Sequence, residues 1–323
     1  MNSPGLRSAH VPVLPREVLQ WLQLVPGLRV LDGTVGAGGH SSLILPAIAP
    51  DGILIAMDRD PMMLHIAGER LTRAAVEQTK SGGTSSYHLM PGSYADSESV
   101  LTHLNIRNVD RVLLDLGLSS DQLADRERGF GFDTGGPLDM RFDPRTGRTA
   151  AELLQTLPLS GLADVFRSYG EEPAAEQIAQ EIVTRRQRGE EIRTAEQLEE
   201  CVHRVVGIRD GPGIRGRKSG NLRFGEYSRN PATRVFQSLR IATNQELEHL
   251  DRMLHQVLSQ ILQPGGIAVI LTFHSLEDRI VKHAFKGQHG WQLLTKKPIE
   301  ASPAEIRLNP RSRSAKLRAI QRL

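Results

Sequence analysis

The sequence predicts an α/β protein in which a parallel, doubly wound sheet is interrupted by an all-helical domain. Three observations carry this. Short, near-continuously apolar runs alternate with helical patterns in the first third of the chain, as strands buried on both faces require. The alternation stops near residue 145, after which capping sequences and helical periodicity follow one another without a strand. Strand-type sequence returns in the last quarter with the fully apolar run Ile267–Phe273.

In chain order, Arg29–Asp32, Ile53–Asp58, Ser86–Met90 and Arg111–Leu116 read as strands, with Gly-rich or Asp-Gly breaks adjoining most of them. Thr149-Ala-Ala-Glu152 is a capping box that opens a helix, and Leu159–Tyr169 is a second helix stopped by Gly170. Pro173 suits the first position of a helix reaching Arg188. Thr194-Ala-Glu-Gln197 opens another, to about Val206. Thr233–Leu262 places Phe236, Leu239, Leu247, Leu250, Leu254 and Leu258 at helical spacing, which suits one long helix or two shorter ones ended by Pro264-Gly265-Gly266. Leu276–Lys286 reads as a helix, and Trp291–Leu294 and Lys316–Arg322 as weaker strands. The expected domains are a discontinuous sheet domain, 1–144 with 226–323, and a helical insert, 145–225, with a basic loop 204–229 at its end.

The chain has 323 residues, 39% apolar and 24% charged, enough for about two folded domains. No run of about 18 apolar residues is present, and the first residues, MNSPGLRSAHVPVLPREV, lack an apolar secretory core. The one cysteine, Cys201, permits neither an internal disulfide nor a Cys-based zinc site. A soluble, cytoplasmic protein is expected. The net charge of +3 is unevenly spread: 279–323 carries eleven Lys/Arg against two Glu, and 204–229 seven against two acids, leaving the remainder at −11. Such segments are either solvated surface or sites that neutralise phosphates.

The turn Val30-Leu-Asp-Gly-Thr-Val-Gly-Ala-Gly-Gly-His40 joins a strand to a helix, and its glycines allow positive φ and close ligand approach. It departs from the strict dinucleotide fingerprint, because Gly39 follows Gly38 at once. About 20 residues later a strand ends at Asp58, where a carboxylate accepts both hydroxyls of a ribose. No Lys-Ser/Thr follows the last glycine, which excludes a P-loop. Asp32, inside the turn, would repel a pyrophosphate but suit a cationic ligand, and S-adenosyl-L-methionine carries a sulfonium and an α-amine. Pro46 is expected to kink or shorten the helix that follows.

Ten motifs in order over nearly the whole chain resemble the bacterial small-subunit ribosomal RNA cytosine-N4 methyltransferase family. They are His10-Val-Pro-Val-Leu14, Gly36-Ala-Gly-Gly-His-Ser41, Asp58-Arg-Asp-Pro61, Asp115-Leu-Gly-Leu-Ser-Ser120 and Arg128-Gly-Phe-Gly-Phe132. Gly136-Pro-Leu-Asp-Met-Arg141, Tyr169-Gly-Glu-Glu172, Asn230-Pro-Ala-Thr-Arg-Val-Phe-Gln237, Phe273-His-Ser-Leu-Glu-Asp-Arg279 and Asn309-Pro-Arg-Ser-Arg313 complete the series. The resemblance implies a Rossmann-like class I methyltransferase sheet with an inserted all-helical domain. It implies S-adenosyl-L-methionine as cofactor and the exocyclic N4 amine of one cytidine in the decoding region of 16S rRNA as target. The implied partner is 16S rRNA, free or in an assembled or nearly assembled small subunit, with no membrane; a homodimer is one option. Implied cofactor contacts fall on Gly38, Gly39, His40, Asp58, Tyr94, Asp115 and Gln122. The family pattern has Pro where Asp121 stands and Ser where Gly131 stands, which puts local loop conformation in question.

The candidate catalytic residues are Asp115, Asp139 and His274. Asp115 ends the fourth strand, where an α/β sheet places working residues; it either acts on the target or holds the cofactor's amine, as the resemblance favours. Asp139 and His274 are candidates for contacting the target amine, which must be oriented and relieved of a proton. For His274 the alternative is helix capping beside Glu277. Phe130 or Phe132 either stacks the base or packs in the core. Cys201, within an expected insert helix, argues against carbon-5 chemistry, which needs a cysteine nucleophile. No metal is expected, His274, Glu277 and Asp278 lacking a clear ligand pattern. Competing readings are DNA amino-methylation, a non-catalytic RNA-binding assembly factor and a nicotinamide dehydrogenase.

Overall fold

The computed structural model describes residues 11–80, 82–132, 136–206, 230–286 and 289–323. The chain divides into two compact units, Met1–Asp121 with Leu247–Leu323, and Gln122–Glu246.

The first unit is built on one sheet. In chain order its elements are α1 (Pro15–Leu22), β1 (Arg29–Asp32), α2 (Ser41–Ala47), β2 (Ile53–Asp58), α3 (Pro61–Lys80), β3 (Ser86–Pro91), α4 (Ser97–His103), β4 (Val109–Asp115) and α5 (Ser120–Ala124), the last crossing the point of division. The strands run in the order β3-β2-β1-β4-β5-β8-β6, parallel from β3 to β5 (Leu262–Thr272), with β8 (Lys316–Arg322) antiparallel to both β5 and β6 (Trp291–Leu293). Successive strand residues feed opposite cores. Val30, Leu54, Ala56, Leu113, Val269 and Leu271 pack with Val18, Leu22, Ile44, Leu45 and Leu71. Leu31, Ile55, Met57, Val112, Leu114 and Ile270 pack with Leu101, Leu254, Leu258 and Val281 on the other side. Burial on both faces explains why these strands read as continuous apolar runs rather than alternating ones.

Local chemistry sets the helix ends. Pro46 lies inside α2, which stops after seven residues, as its missing N–H and ring require. In the second unit, α6 (Ala150–Thr156) and α9 (Ala195–Val205) both start on the expected capping boxes. Glu152 N–H donates to Thr149 Oγ1 at 3.1 Å and Thr149 N–H to Glu152 Oε2 at 2.8 Å. α7 (Leu159–Gly170) takes in Gly170, expected to stop it, and ends instead at Glu171, whose φ is 48°; α8 (Ala175–Gln187) begins two residues after Pro173, which sits in a turn.

The long apolar pattern after residue 232 resolves into two helical stretches. α10 (Ala232–Asn244) ends at Gln245, whose φ of 52° breaks the helix, and α11 (Glu246–Arg252) leads through a π turn at Met253–Val257 into α12 (Leu258–Ile261). β5 then begins at Leu262, so Pro264-Gly265-Gly266 lies within the strand rather than before it. Leu262 pairs with Val109 and Ile267 with Arg111, and the surplus residues bulge between these pairs. α13 (Ser275–Ala284), β6 (Trp291–Leu293), β7 (Ile299–Glu300), α14 (Pro303–Leu308) and β8 complete the first unit.

The helical unit, 122–246, is broader than the 145–225 read from the pattern. α10 belongs to it because Gly170 lets α7 approach closely: a Cβ there would lie 2.7 Å from the Arg234 carbonyl oxygen. The segment before α6 belongs to it because Leu138 N–H bonds the Arg193 carbonyl and Asn244, buried on α10, bonds both Met140 O and Phe142 N–H. Of the basic loop 204–229, residues 207–229 lie outside the described residues.

Candidate active site

The C-terminal ends of β1, β2 and β4 bring Asp32, Asp58 and Asp115 to one edge of the sheet, the edge where open α/β sheets bind ligands. The turn after β1 is threaded between its neighbours. Gly33 N–H bonds Leu113 O at 2.9 Å, Val35 N–H bonds Met57 O at 2.8 Å, and Asp115 N–H donates to Thr34 Oγ1 at 2.6 Å. Gly36 and Gly38 take φ of 50° and 78°. Gly33, unremarked in the motif reading, is required by crowding: a Cβ would meet Tyr94 Cβ and Leu114 Cδ2, each at 2.7 Å. Its signal was the Asp-Gly step directly after a strand. Tyr94 heads a short 3-10 turn capped by Ser93, whose Oγ accepts from Ala95 N–H and lies 3.0 Å from His249 Nδ1.

The three carboxylates divide by environment. Asp32 is 1% exposed; Oδ2 accepts from the Ser41 hydroxyl at 2.6 Å and Oδ1 from Thr34 N–H at 3.2 Å. Burial pushes its carboxyl up despite these bonds. Through these bonds Asp32 fastens the turn to the start of α2. Asp58 Oδ2 accepts from Gly36 N–H at 2.8 Å and Oδ1 from Asp60 N–H at 2.9 Å, tying β2 to the glycine turn. Burial raises this carboxyl to about 6, the Asp60 and Gly36 amides opposing the shift. Each oxygen keeps a lone pair for a further donor.

Asp115 Oδ2 lies 3.4 Å from His40 Nε2, with only 14% and 6% of the two side chains exposed. Neither ring nitrogen of His40 nor Asp115 Oδ1 has a hydrogen-bond partner among the described residues. Buried polar atoms without partners are costly, and here they cluster where a ligand belongs. A zwitterionic amino-acid group beside a nucleoside fits this set: an ammonium can donate to Asp115, and ribose hydroxyls to Asp58. Gly38, Gly39, His40, Asp58, Tyr94 and Asp115 are thus gathered on one sheet edge. Gln122, 5% exposed on α5, falls in the helical unit.

Asp139 also lies in the helical unit and is clamped by Arg141, Nε to Oδ1 at 2.8 Å and Nη2 to Oδ2 at 2.7 Å. Burial would raise the Asp139 carboxyl, but the Arg141 bonds and charge outweigh it and hold it below the ordinary range. Arg128 braces the same loop, donating from Nη2 to Arg141 O at 2.7 Å and Phe142 O at 2.9 Å. The motifs 128–132 and 136–141 are two sides of one knot: a Cβ on Gly136 would sit 1.7 Å from Arg126 O, and one on Gly129 2.3 Å from Pro137 O. Phe130 is 6% exposed and packs near Phe142, so it is core rather than a base-stacking residue. Phe132 is half-buried, edge-on to Phe236 at 4.6 Å.

His274 ends β5 as the N-cap of α13. Its Nδ1 accepts from Glu277 N–H at 3.4 Å, and Glu277 Oε2 accepts from Phe273 N–H at 2.8 Å. His274 Nε2 lies 3.1 Å from Glu277 Oε1, out of line for a hydrogen bond. Asp278 is held by Arg318 at 2.7 Å and Lys316 at 3.4 Å. Among the described residues no three His, Cys, Asp or Glu side chains are grouped to hold a metal. Cys201 is fully buried, and burial pushes its thiol up to about 11, so it offers no thiolate near neutral pH.

A parallel run β3-β2-β1-β4-β5 followed by the reversed β8, a glycine turn, an acid ending β2 and a buried His–Asp pair at β4 together define a nucleoside-cofactor enzyme. Its class is the S-adenosylmethionine-dependent methyltransferases. The chain belongs to the MraW methylase family, whose profile matches residues 7–323. It is similar to proteins named ribosomal RNA small subunit methyltransferase H. That of Syntrophotalea carbinolica is 42% identical over 97% of this chain and 98% of the relative. That of Thermomicrobium roseum is 43% identical over 98% and 95%, and that of a Cyanothece strain 44% identical over 97% and 95%.

Proposed function

We propose that this chain transfers a methyl group from S-adenosylmethionine to the N4 amine of one cytidine in the decoding region of 16S rRNA. The relatives' names support a small-subunit rRNA target. The observation that carries the reading is the buried His40–Asp115 pair, at the sheet edge where the glycine turn and Asp58 converge, with polar atoms that have no hydrogen-bond partner among the described residues.

S-adenosylmethionine would supply an electrophilic methyl on a sulfonium; the chain's residues position the reactants and exclude water. Asp58 accepts the ribose hydroxyls, and Gly38 and Gly39 allow close backbone approach. Asp115 and His40 would hold the methionine ammonium and carboxylate, and Tyr94 would line the base. In-line displacement then depends chiefly on holding reactants about 3–3.5 Å apart in a dry site. The target amine is a weak nucleophile whose lone pair is delocalised into the ring. Asp139, kept ionised by Arg141, accepts an N–H bond from it and orients it. An acid held so strongly ionised is a poor proton acceptor. His274, whose Nδ1 accepts from Glu277 N–H, carries the proton of its neutral ring on Nε2, so it would donate to the target base rather than take its proton.

The test is a deletion strain whose 16S rRNA is examined by mass spectrometry. The N4 methyl at one decoding-region cytidine is expected to vanish and to return when purified protein and S-adenosylmethionine are supplied to small subunits. An unchanged modification in the deletion strain would refute the assignment. Comparing bare 16S rRNA with small subunits identifies which is the substrate.

A further inference from the structure

One surface at the active edge of the first unit has chemistry that the cofactor site does not use. Lys316 pairs with Thr272, the last residue of β5, so the segment leading into β8 lies at the edge where β1, β2 and β4 end. That segment comprises α14 and the 3-10 turn Pro310–Ser314. Its inward groups are committed. Glu305 Oε1 accepts from Leu14 N–H at 2.7 Å, Asn309 Nδ2 donates to Val11 O at 3.1 Å, and the buried Ser312 hydroxyl donates to Asn309 O at 2.7 Å. Arg311 reaches the loop that follows Asp115, donating to Ser120 Oγ at 2.6 Å and to the Leu118 carbonyl.

What faces outward is Arg307, Leu308 and Arg313. Both arginines are exposed, and neither has an ion-pair partner among the described residues. Leu308 is 86% exposed, the most exposed large apolar side chain described. An exposed leucine on the same short segment as two exposed arginines that have no ion-pair partner among the described residues, a segment pinned by buried Asn309 and Ser312, suits a polyanion with apolar faces.

We propose that Arg307, Leu308 and Arg313 form the landing surface for single-stranded RNA flanking the target nucleotide. The two guanidinium groups neutralise successive phosphates, and Leu308 lies against the face of an unstacked base. This rests on the rRNA reading above and adds to it which cations of the basic 279–323 region meet the substrate. Arg318 and Lys316 are engaged with Asp278, and Arg322 with the Leu262 carbonyl, so they do not belong to the surface.

The full chain carrying Arg307→Ala with Arg313→Ala, and a separate Leu308→Ser variant, remove exposed side chains only, so thermal melting is expected to stay unchanged. Fluorescence anisotropy with a short single-stranded RNA copied from the target region, between about 50 and 200 mM salt, reads the contacts directly. The double variant is expected to bind about tenfold more weakly at low salt, its log–log salt slope shallower by about 1.4 for two lost contacts. Leu308→Ser is expected to weaken binding with the slope unchanged, and S-adenosylmethionine affinity by calorimetry is expected to match wild type throughout. Unchanged RNA affinity and slope in the double variant would overturn the proposal. So would a defect confined to intact small subunits, which assigns the surface to a ribosomal protein. A wild-type chain that binds this RNA through these residues yet methylates no rRNA would sink the proposed function alone.

Discussion

Asp58 shows how one side chain can make folding and ligand binding respond oppositely to pH. An isolated aspartate ionises near 3.8, whereas burial lifts this one to about 6. Between those values the folded state holds a proton that the unfolded chain has released, so stability of the ligand-free protein falls as pH rises through that window and is level above it. Cofactor affinity runs the other way, because ribose hydroxyls donate best to the ionised carboxylate. It is expected to rise up to tenfold per pH unit toward pH 6 and then to plateau. Asp58→Asn is expected to flatten both curves while weakening S-adenosylmethionine by at least tenfold, as calorimetry and melting at pH 5 and pH 7.5 would show. His274 allows a similarly clean separation. Asn is itself a good N-cap, so His274→Asn preserves the start of α13. Melting temperature and cofactor affinity should be retained while kcat drops about 100-fold, as for a target base that is no longer held in position. Full activity in that variant would leave His274 a cap only.

At the scale of elements, the glycine turn and the loop after β4 are held by contacts far apart in sequence. Gly33→Ala forces a methyl against Tyr94 Cβ, whose position the backbone fixes whatever the side-chain rotamer. The expected result is a loss of about 1–3 kcal/mol in stability by chemical denaturation, with weakened cofactor binding, as for overpacking in a tight site. Arg311→Ala frees Leu118 and Ser120 behind Asp115. KM for S-adenosylmethionine should rise more than kcat falls, since the loop shapes the pocket without touching the reacting atoms. Asn244→Ala strands Met140 O and Phe142 N–H around Asp139 and should destabilise the helical unit by about 1–3 kcal/mol. Many of these elements were readable beforehand. The capping boxes at Thr149 and Thr194 and the strands 29–32, 53–58 and 316–322 lie where the pattern places them, because caps and two-sided burial leave marks within a few residues. The bulge at Pro264-Gly265-Gly266 was not readable: a Pro-Gly-Gly string signals a break, and only pairing of Leu262 with Val109 makes it part of a strand.

For the molecule as a whole, the first unit is assembled from both ends of the chain. β8 lies between β5 and β6 and pairs with β5 from Ile267–Gln321 to Thr272–Lys316. A chain ended before Lys316 is expected to lose the native circular-dichroism melt and all cofactor binding, although every proposed cofactor contact lies upstream. The helical unit shows the limit of pattern reading at this scale. α10 follows the basic loop, yet it packs on α7 through Gly170. Nothing local to residues 232–244 announces that partner.

What the chain's own order of residues determined was chemistry that acts over short spans: strand and helix character, the glycine turn, the acid about 20 residues on, and the ten ordered motifs that carry the family resemblance. Tertiary structure alone decided which of those groups are spent and which are available. Asp32 is sealed from solvent against Ser41 and Thr34 and Phe130 is buried in the core, whereas Arg141 keeps Asp139 ionised and His40 and Asp115 keep atoms without hydrogen-bond partners among the described residues. The physical reason is that a polar side chain's role depends on whether its hydrogen bonds are already satisfied, and its partners come from segments that sequence proximity does not join.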